Sequence, residues 1–390
     1  MIPYGRQWIE PGDLERVLEV LRSDWITQGP SVERFEEALC ARFGARYAVA
    51  VSSGTAALHL ASLALGVGPG DRVVTSPNTF VASANCVLYC GGTVCFVDIE
   101  PETGNLSVER LEAFLENAGN RERLKGIIPV HFAGQPCDLE RIRTLADRYG
   151  LWVLEDACHA PGARWRDGNG QWHTVGSCSH SDAAVLSFHP VKHVTTGEGG
   201  AILTNRKEIY GKIQQLRSHG ITRDRNEMET DDGAWFYEMQ DLGFNYRITD
   251  FQCALGISQL QRLDEVLKRR REIAEIYGQA LGGLPGVRPL TVRRGVEHAY
   301  HLYVVRLRNR RTVFEQLSAA GIGVQVHYIP VHLQPYYRRT HKARPGDFPE
   351  AEAHYQEALS LPIFYGLGND DVGEVVRALR AALGATDGAR

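Results

Sequence analysis

The sequence predicts an α/β protein: a large domain built on a mainly parallel, seven-stranded sheet, followed by a smaller C-terminal α+β domain. Three observations carry this. Short runs rich in valine, isoleucine and leucine alternate with helical patterns through the first part of the chain. Those runs are apolar on both faces, as strands covered by helices must be. From about Phe251 the texture changes to one long helical pattern and then to fewer, more widely spaced strands.

The strand runs are "YAVAVSS" (47–53), "DRVVTS" (71–76), "TVCFVD" (93–98), "GIIPVH" (126–131), "LWVLED" (151–156), "AAVLSF" (183–188) and "GAILTN" (200–205). Glycine, proline or aspartate bounds them. Between them lie helical segments such as "TAALHLASLAL" (55–65) and "LERIRTLADRYG" (139–150). The last two strands lie close enough to be joined without a helix, which would make the sheet mixed. The pattern at 251–281 leads from a first unit, residues 1–255 with the N-terminal segment, into a second, residues 256–390. In the second unit 299–307 and 323–331 read as strands, and 312–321 and 371–383 as helices. The closing "GATDGAR" is expected to fray.

A formal net charge of -4 gives no electrostatic case for nucleic acid or an anionic membrane. The basic run "LKRRRE" (267–272), flanked by Asp264 and Glu265, reads as a solvated helix face. The eight cysteines form no C-x-x-C pair, and no apolar stretch is long enough to span a membrane. The chain opens polar, so a cytoplasmic protein with free thiols is expected. Histidine pairs such as His298 with His301 lack zinc spacing, and no H-E-x-x-H, G-x-S-x-G or P-loop motif is present.

Three strand ends carry chemistry. "SSGTAALHL" turns into a helix whose free N–H groups and dipole can hold a phosphate, although the same turn could be a plain N-cap. Asp156 closes a buried strand, where a carboxylate either caps a turn or pairs with a cation. "SFHPVKHVTTGEGG" places Lys192 five residues after Ser187 in an apolar, glycine-rich setting. A snorkelling lysine is one reading; a desolvated, nucleophilic lysine is the other. Together the three segments specify a site for pyridoxal 5'-phosphate (PLP). That cofactor needs a lysine for its aldehyde, an acid for its ring nitrogen and a phosphate cradle.

On these residues the chain resembles the DegT/DnrJ/StrS-type sugar aminotransferases, which have the fold type I (aspartate aminotransferase-like) architecture. The likeness runs through "SSGTAALHLA", "GDRVVTSPNTFVASAN", "PVHFAGQPCD", "EDACHAPGA", "SFHPVKHVTTGEGGA" and "GFNYRITDFQCALGISQL". The resemblance implies that Lys192 forms the Schiff base and moves the proton, and that Asp156 pairs with the pyridinium nitrogen. Phe80 and His159 would flank the ring, and Gly54, Thr55 and Ser187 would hold the phosphate. Asn245 would reach that phosphate from the neighbouring subunit of a homodimer, and Arg247 would face a substrate diphosphate. Relatives with histidine in place of the lysine are dehydrases; the lysine here favours transamination.

Further segments, among them "SDWITQGP", "LRSHGITRD" and "HYIPVHLQPYYR", resemble the pseudaminic acid branch of that family. That branch aminates C4 of UDP-2-acetamido-2,6-dideoxy-β-L-arabino-hex-4-ulose with L-glutamate as donor, giving UDP-4-amino-4,6-dideoxy-N-acetyl-β-L-altrosamine. Trp25, Gln28, Tyr328 and His332 are then candidates for the nucleotide-sugar pocket. The alternatives are another nucleotide 4-keto sugar (a UDP-4-keto-pentose or a dTDP-4-keto-hexose), a dehydrase, or a non-catalytic PLP-binding sensor.

Overall fold

The computed structural model describes residues 1–387. All seven expected strands join one sheet, in the order Tyr47–Val51, Gly200–Thr204, Ala183–Ser187, Trp152–Asp156, Leu124–Ile128, Arg72–Thr75, Thr93–Phe96. Gly200–Thr204 runs antiparallel to both of its neighbours, and the remaining pairings are parallel. The sheet is therefore mixed at the point where a short connection excludes a crossover helix.

Alternate side chains of the same strands feed cores on both sides. Val49, Leu154, Val185 and Ile202 pack with Ala57, Leu58 and Leu60 of the helix Gly54–Ala64. Ala184, Leu186, Ala201 and Leu203 pack with Phe35 and Leu39 of the helix Pro30–Phe43. Helix starts follow local chemistry. The Ser53 hydroxyl accepts from the Ala56 N–H, and Asp138 caps Leu139–Tyr149 in the same way.

The long pattern after Phe251 divides into Asp250–Gln261 and Leu263–Leu281. Arg262, at the break, reaches Glu10 and Asp13 of the N-terminal segment. The second helix turns Leu263, Val266, Leu267, Arg270, Ile273, Ala274, Tyr277 and Leu281 inward. The basic run is thus not one solvated face. Lys268 and Glu272 are exposed, whereas Arg270 is 2% exposed because it falls on the 3.6-residue stripe of apolar positions.

Beyond this helix an antiparallel sheet joins Val287–Pro289, Tyr303–Leu307 and Ala358–Leu361. Its core takes Ile2 from the N-terminal segment, which the sequence groups with the first unit. The strand expected at 323–331 does not form, apart from a single bridge between Gln325 and Ser360. Alternation fails there because His327 and Tyr328 both line one cavity, and Pro330 lacks a ladder donor. The C-terminal helix Asn369–Asp387 continues through 384–387, which were expected to fray; 388–390 lie outside the described residues. Among the described residues no helix is long and apolar enough to cross a membrane.

Candidate active site

A cavity of about 410 Å³ opens beyond the carboxyl ends of Tyr47–Val51, Trp152–Asp156 and Ala183–Ser187. This is where open α/β sheets collect ligands. One wall is the start of the helix Gly54–Ala64. The first N–H groups of a helix have no partner within it, so those of Gly54 and Thr55 are available to an anion. The turn presses close to its neighbours. A Cβ on Gly54 would sit 3.2 Å from Ser187 Oγ, and one on Gly200 would sit 2.5 Å from the Ser53 carbonyl. Bare backbone, a helix N-terminus and the Ser187 hydroxyl together form an anion cradle.

Asp156 lies at another wall, 6% exposed. Ser83 Oγ donates to its Oδ2 at 2.5 Å, and the Cys158 N–H donates to Oδ1 at 3.1 Å. Because Ser83 gives its one proton to the carboxylate, the Thr79 hydroxyl donates to Ser83, at 2.7 Å. Donors thus meet both oxygens of the carboxyl group. Burial, reinforced by this carboxylate, holds the Cys158 thiol well above the usual range, so it remains protonated.

Lys192 is half-buried and lines the same cavity. Desolvation pulls its amine down to about 8; the buried guanidinium of Arg270 adds to this, while Asp156 opposes it. Its Nζ lies 3.3 Å from His301 Nε2. His159 faces Tyr328, with the hydroxyl 3.0 Å from His159 Nε2 and the rings 6.0 Å apart and near parallel. Burial keeps His159 and His301 neutral, and the nearby lysine strengthens the effect. Phe80, 57% exposed, stands at the mouth, 6.3 Å from the Tyr328 ring.

A nucleophilic amine, a side-chain carboxyl group held from both oxygens and an anion cradle around one cavity suit the aldehyde, ring nitrogen and phosphate of PLP. Residues 8–380 match the DegT/DnrJ/EryC1/StrS aminotransferase family. The chain belongs to this family. SpsC, a spore coat polysaccharide biosynthesis protein of Bacillus subtilis, is 39% identical over 99% of this chain and 98% of its own. PseC of Helicobacter pylori, an aminotransferase involved in the biosynthesis of pseudoaminic acid, has a TM-score of 0.88. It is 30% identical, with 98% and 99% of the two chains covered. Spr1654 of Streptococcus pneumoniae, assigned as a sugar aminotransferase, has in its PMP form a TM-score of 0.89 at 29% identity, again covering 98% and 99%. The family's enzymes are PLP-dependent, and the mixed sheet with its helices is the fold type I architecture.

Of the residues expected in a DegT-family site, Gly54, Thr55, Phe80, Asp156, His159, Ser187, Lys192 and Tyr328 line this one cavity. Gln28 and Arg247 do not; they share a separate cleft of about 320 Å³ with Glu33, Glu36 and Arg217. Trp25 is 58% exposed on the segment leading to that cleft. Asn245 is exposed, bridged to Ser218, and away from the cavity of its own chain.

His332 is a correction. It is fully buried, its Nε2 lies 3.0 Å from Glu352, and its ring packs on Phe348, so no face is free for substrate. Sequence reasoning missed Ser83, Thr79, Tyr4, His301 and His327, all of which line the cavity or bond to a residue that does. Ser83 carried a weak signal: it lies three residues after Phe80 in the segment quoted for the family likeness.

Proposed function

We propose that this enzyme moves the amino group of L-glutamate to C4 of a UDP-linked 4-keto-6-deoxy amino sugar. Its substrate is UDP-2-acetamido-2,6-dideoxy-β-L-arabino-hex-4-ulose and its product the 4-amino-4,6-dideoxy-N-acetyl-β-L-altrosamine nucleotide of pseudaminic acid synthesis. The observation that carries the aminotransferase reading is the convergence of Lys192, Asp156 and the Gly54–Thr55 helix start on one cavity. The sugar reading rests on the segments "SDWITQGP" and "HYIPVHLQPYYR" together with the likeness to PseC.

When bound, PLP supplies the aldehyde that takes up the amino group and a ring that spreads the electron pair left by the departing proton. The chain does the rest. Gly54, Thr55 and Ser187 anchor the phosphate. Asp156, fixed by Ser83 and the Cys158 N–H, keeps a proton on the ring nitrogen. Phe80 and His159 limit how the ring lies. Lys192, with an ordinary value near 10.5 brought down to about 8, presents some free amine at neutral pH. It removes the α-proton of glutamate and later returns a proton to sugar C4. Across the cycle glutamate and the keto sugar become 2-oxoglutarate and the amino sugar.

Asn245 acts across a homodimer, reaching the phosphate site of the neighbouring subunit, and Arg247 faces the substrate diphosphate. Trp25 and Gln28, on the adjoining segment, and Tyr328, in the cavity, contact the nucleotide sugar. The free thiols fit a reducing cytoplasm.

A second reading, another nucleotide 4-keto sugar, is favoured by the higher identity to SpsC than to PseC. Purified enzyme given glutamate and a panel of UDP- and dTDP-4-keto sugars decides between them. The proposal predicts an amine product by mass only, or fastest, from the UDP-N-acetyl sugar. Faster turnover of a dTDP-4-keto-hexose or a UDP-4-keto-pentose would replace it, and loss of a hydroxyl without gain of nitrogen would indicate a dehydrase.

A further inference from the structure

Arg270 is an unusual cation for a protein core. It is 2% exposed, and among the described residues no carboxylate pairs with it; burial alone lowers it, to about 10, so it stays charged at neutral pH. A buried charge must be compensated. Here the compensation comes from three carbonyls: Nη1 donates to Tyr300 at 2.9 Å, His301 at 3.2 Å and Ile363 at 3.0 Å.

Two of those carbonyls belong to a turn that needs holding. Tyr300 has φ +50, in the left-handed region that a side chain with a Cβ adopts at a cost. The Tyr300 N–H donates to His298 Nδ1 at 2.7 Å, and the two rings stack at 4.0 Å. His193, the residue after Lys192, donates through Nε2 to the Ala299 carbonyl at 2.8 Å. The 298–301 turn is thus tied to the lysine's own segment on one side and to Arg270 on the other. Its last residue places His301 Nε2 at 3.3 Å from Lys192 Nζ, with the imidazole 4.3 Å from that of His159.

We propose that Arg270 fixes the 298–301 turn so that His301 accepts a hydrogen bond from the Lys192 amine whenever that amine is not joined to the cofactor. Arg270 and His301 are positioning residues for the lysine. The inference rests on the reading of Lys192 as the cofactor lysine, and it goes beyond that reading by naming what holds the amine when it is free. A freed lysine that wanders cannot return a proton to one face of a substrate carbon; one held by a fixed acceptor can.

The groups facing the amine set opposing signs. Asp156 favours its charged form, and the protonated Cys158 thiol lies beside it. The Arg270 cation disfavours the charged form. His159, His193, His301 and His327 are held neutral by burial, so they act through hydrogen bonding rather than charge.

The test uses the full-length, cofactor-free protein and an amine-selective reagent, trinitrobenzenesulfonate, with labelling of the Lys192 peptide followed by mass spectrometry across pH. His301→Phe keeps a ring but removes the acceptor, favours the free amine and should speed labelling at pH 7 by roughly threefold; each unit of pKa is about tenfold in free amine. Arg270→Lys keeps the charge but loses the three-way contact, so it releases the turn and should move the profile in the same direction. If Arg270→Lys gives no cooperative unfolding transition, His301→Phe alone decides. A wild-type profile in folded His301→Phe protein, or in folded Arg270→Lys protein, overturns the proposal. Because no cofactor is present, this result is separate from whether Lys192 carries PLP, which a covalent adduct on the Lys192 peptide reports.

Discussion

Gly200→Ala is expected to weaken PLP binding although residue 200 would touch no part of the cofactor. A methyl at this position would lie 2.5 Å from the carbonyl carbon and oxygen of Ser53 and 2.7 Å from the Gly54 nitrogen. These are backbone atoms, so no side chain can swing aside. Gly200 itself is pinned in the sheet, paired with Val51 on one side and Ser187 on the other. Moving from 2.5 Å to an ordinary contact of 3.4 Å requires a shift of about 0.9 Å, and the Ser53–Gly54 turn must supply it.

Such a shift spoils at least one N–H contact to the phosphate. A hydrogen bond to a charged group is worth roughly 1.5–3 kcal/mol, so the Kd for PLP should rise about tenfold to a hundredfold. The assay is titration of cofactor-free protein with PLP and, in parallel, with pyridoxal, which lacks the phosphate. Only PLP should lose affinity. Gly211→Ala is the control: a Cβ there meets nothing within 4 Å, in the helix Lys207–Arg217, and should leave binding unchanged. Wild-type PLP affinity in folded Gly200→Ala protein, or equal losses for PLP and pyridoxal, would refute the assignment of this turn as the phosphate cradle.

Other outcomes follow from the same geometry. Ser83→Ala removes the 2.5 Å donor to Asp156 and should lower kcat about tenfold with little change in KM, as steady-state kinetics would report. His332→Ala should cost about 2–3 kcal/mol in urea unfolding while leaving the sugar KM within about twofold, because its contacts are Glu352 and Phe348. His298 and His354 are buried bases lowered from 6.5 to about 3 and about 4. The unfolded chain therefore binds more protons below about pH 6.5, and stability is lost as pH falls. Each contributes about 1.4 kcal/mol per pH unit, or about 2 kcal/mol between pH 6.5 and pH 5, and His354→Phe should flatten the dependence of urea midpoints on pH.

Much of the large sheet was legible because its strands are apolar on both faces and too short to be helices, and even the antiparallel Gly200–Thr204 followed from the short link before it. The smaller sheet was not. "GVQVHYIPV" has strand composition, yet His327 and Tyr328 both serve the cavity, and the edge beside Tyr303–Leu307 is taken by "ALSL" (358–361), which follows a helical pattern without a break. Lys192, Asp156 and the Gly54 turn could be read because each chemistry demands a particular residue at a strand end. His332 could not be separated from a ligand contact, since burial by Glu352 and Phe348 depends on distant chain. Arg270 could have been found: Leu263, Val266, Leu267, Ile273 and Ala274 fix the buried stripe, and residue 270 falls on it. Asn245 illustrates a different limit: a residue proposed to act on a neighbouring subunit would have no place in the cavity of its own chain.

Reduction of the holoenzyme with borohydride, followed by digestion and mass spectrometry, tests the assignment of Lys192 most directly. Of the six lysines, Lys192 alone should carry the phosphopyridoxyl mass, and Lys192→Ala protein should carry none and should not aminate a keto sugar. An adduct on Lys125, Lys207, Lys212, Lys268 or Lys342 instead, or full turnover by Lys192→Ala, would contradict it.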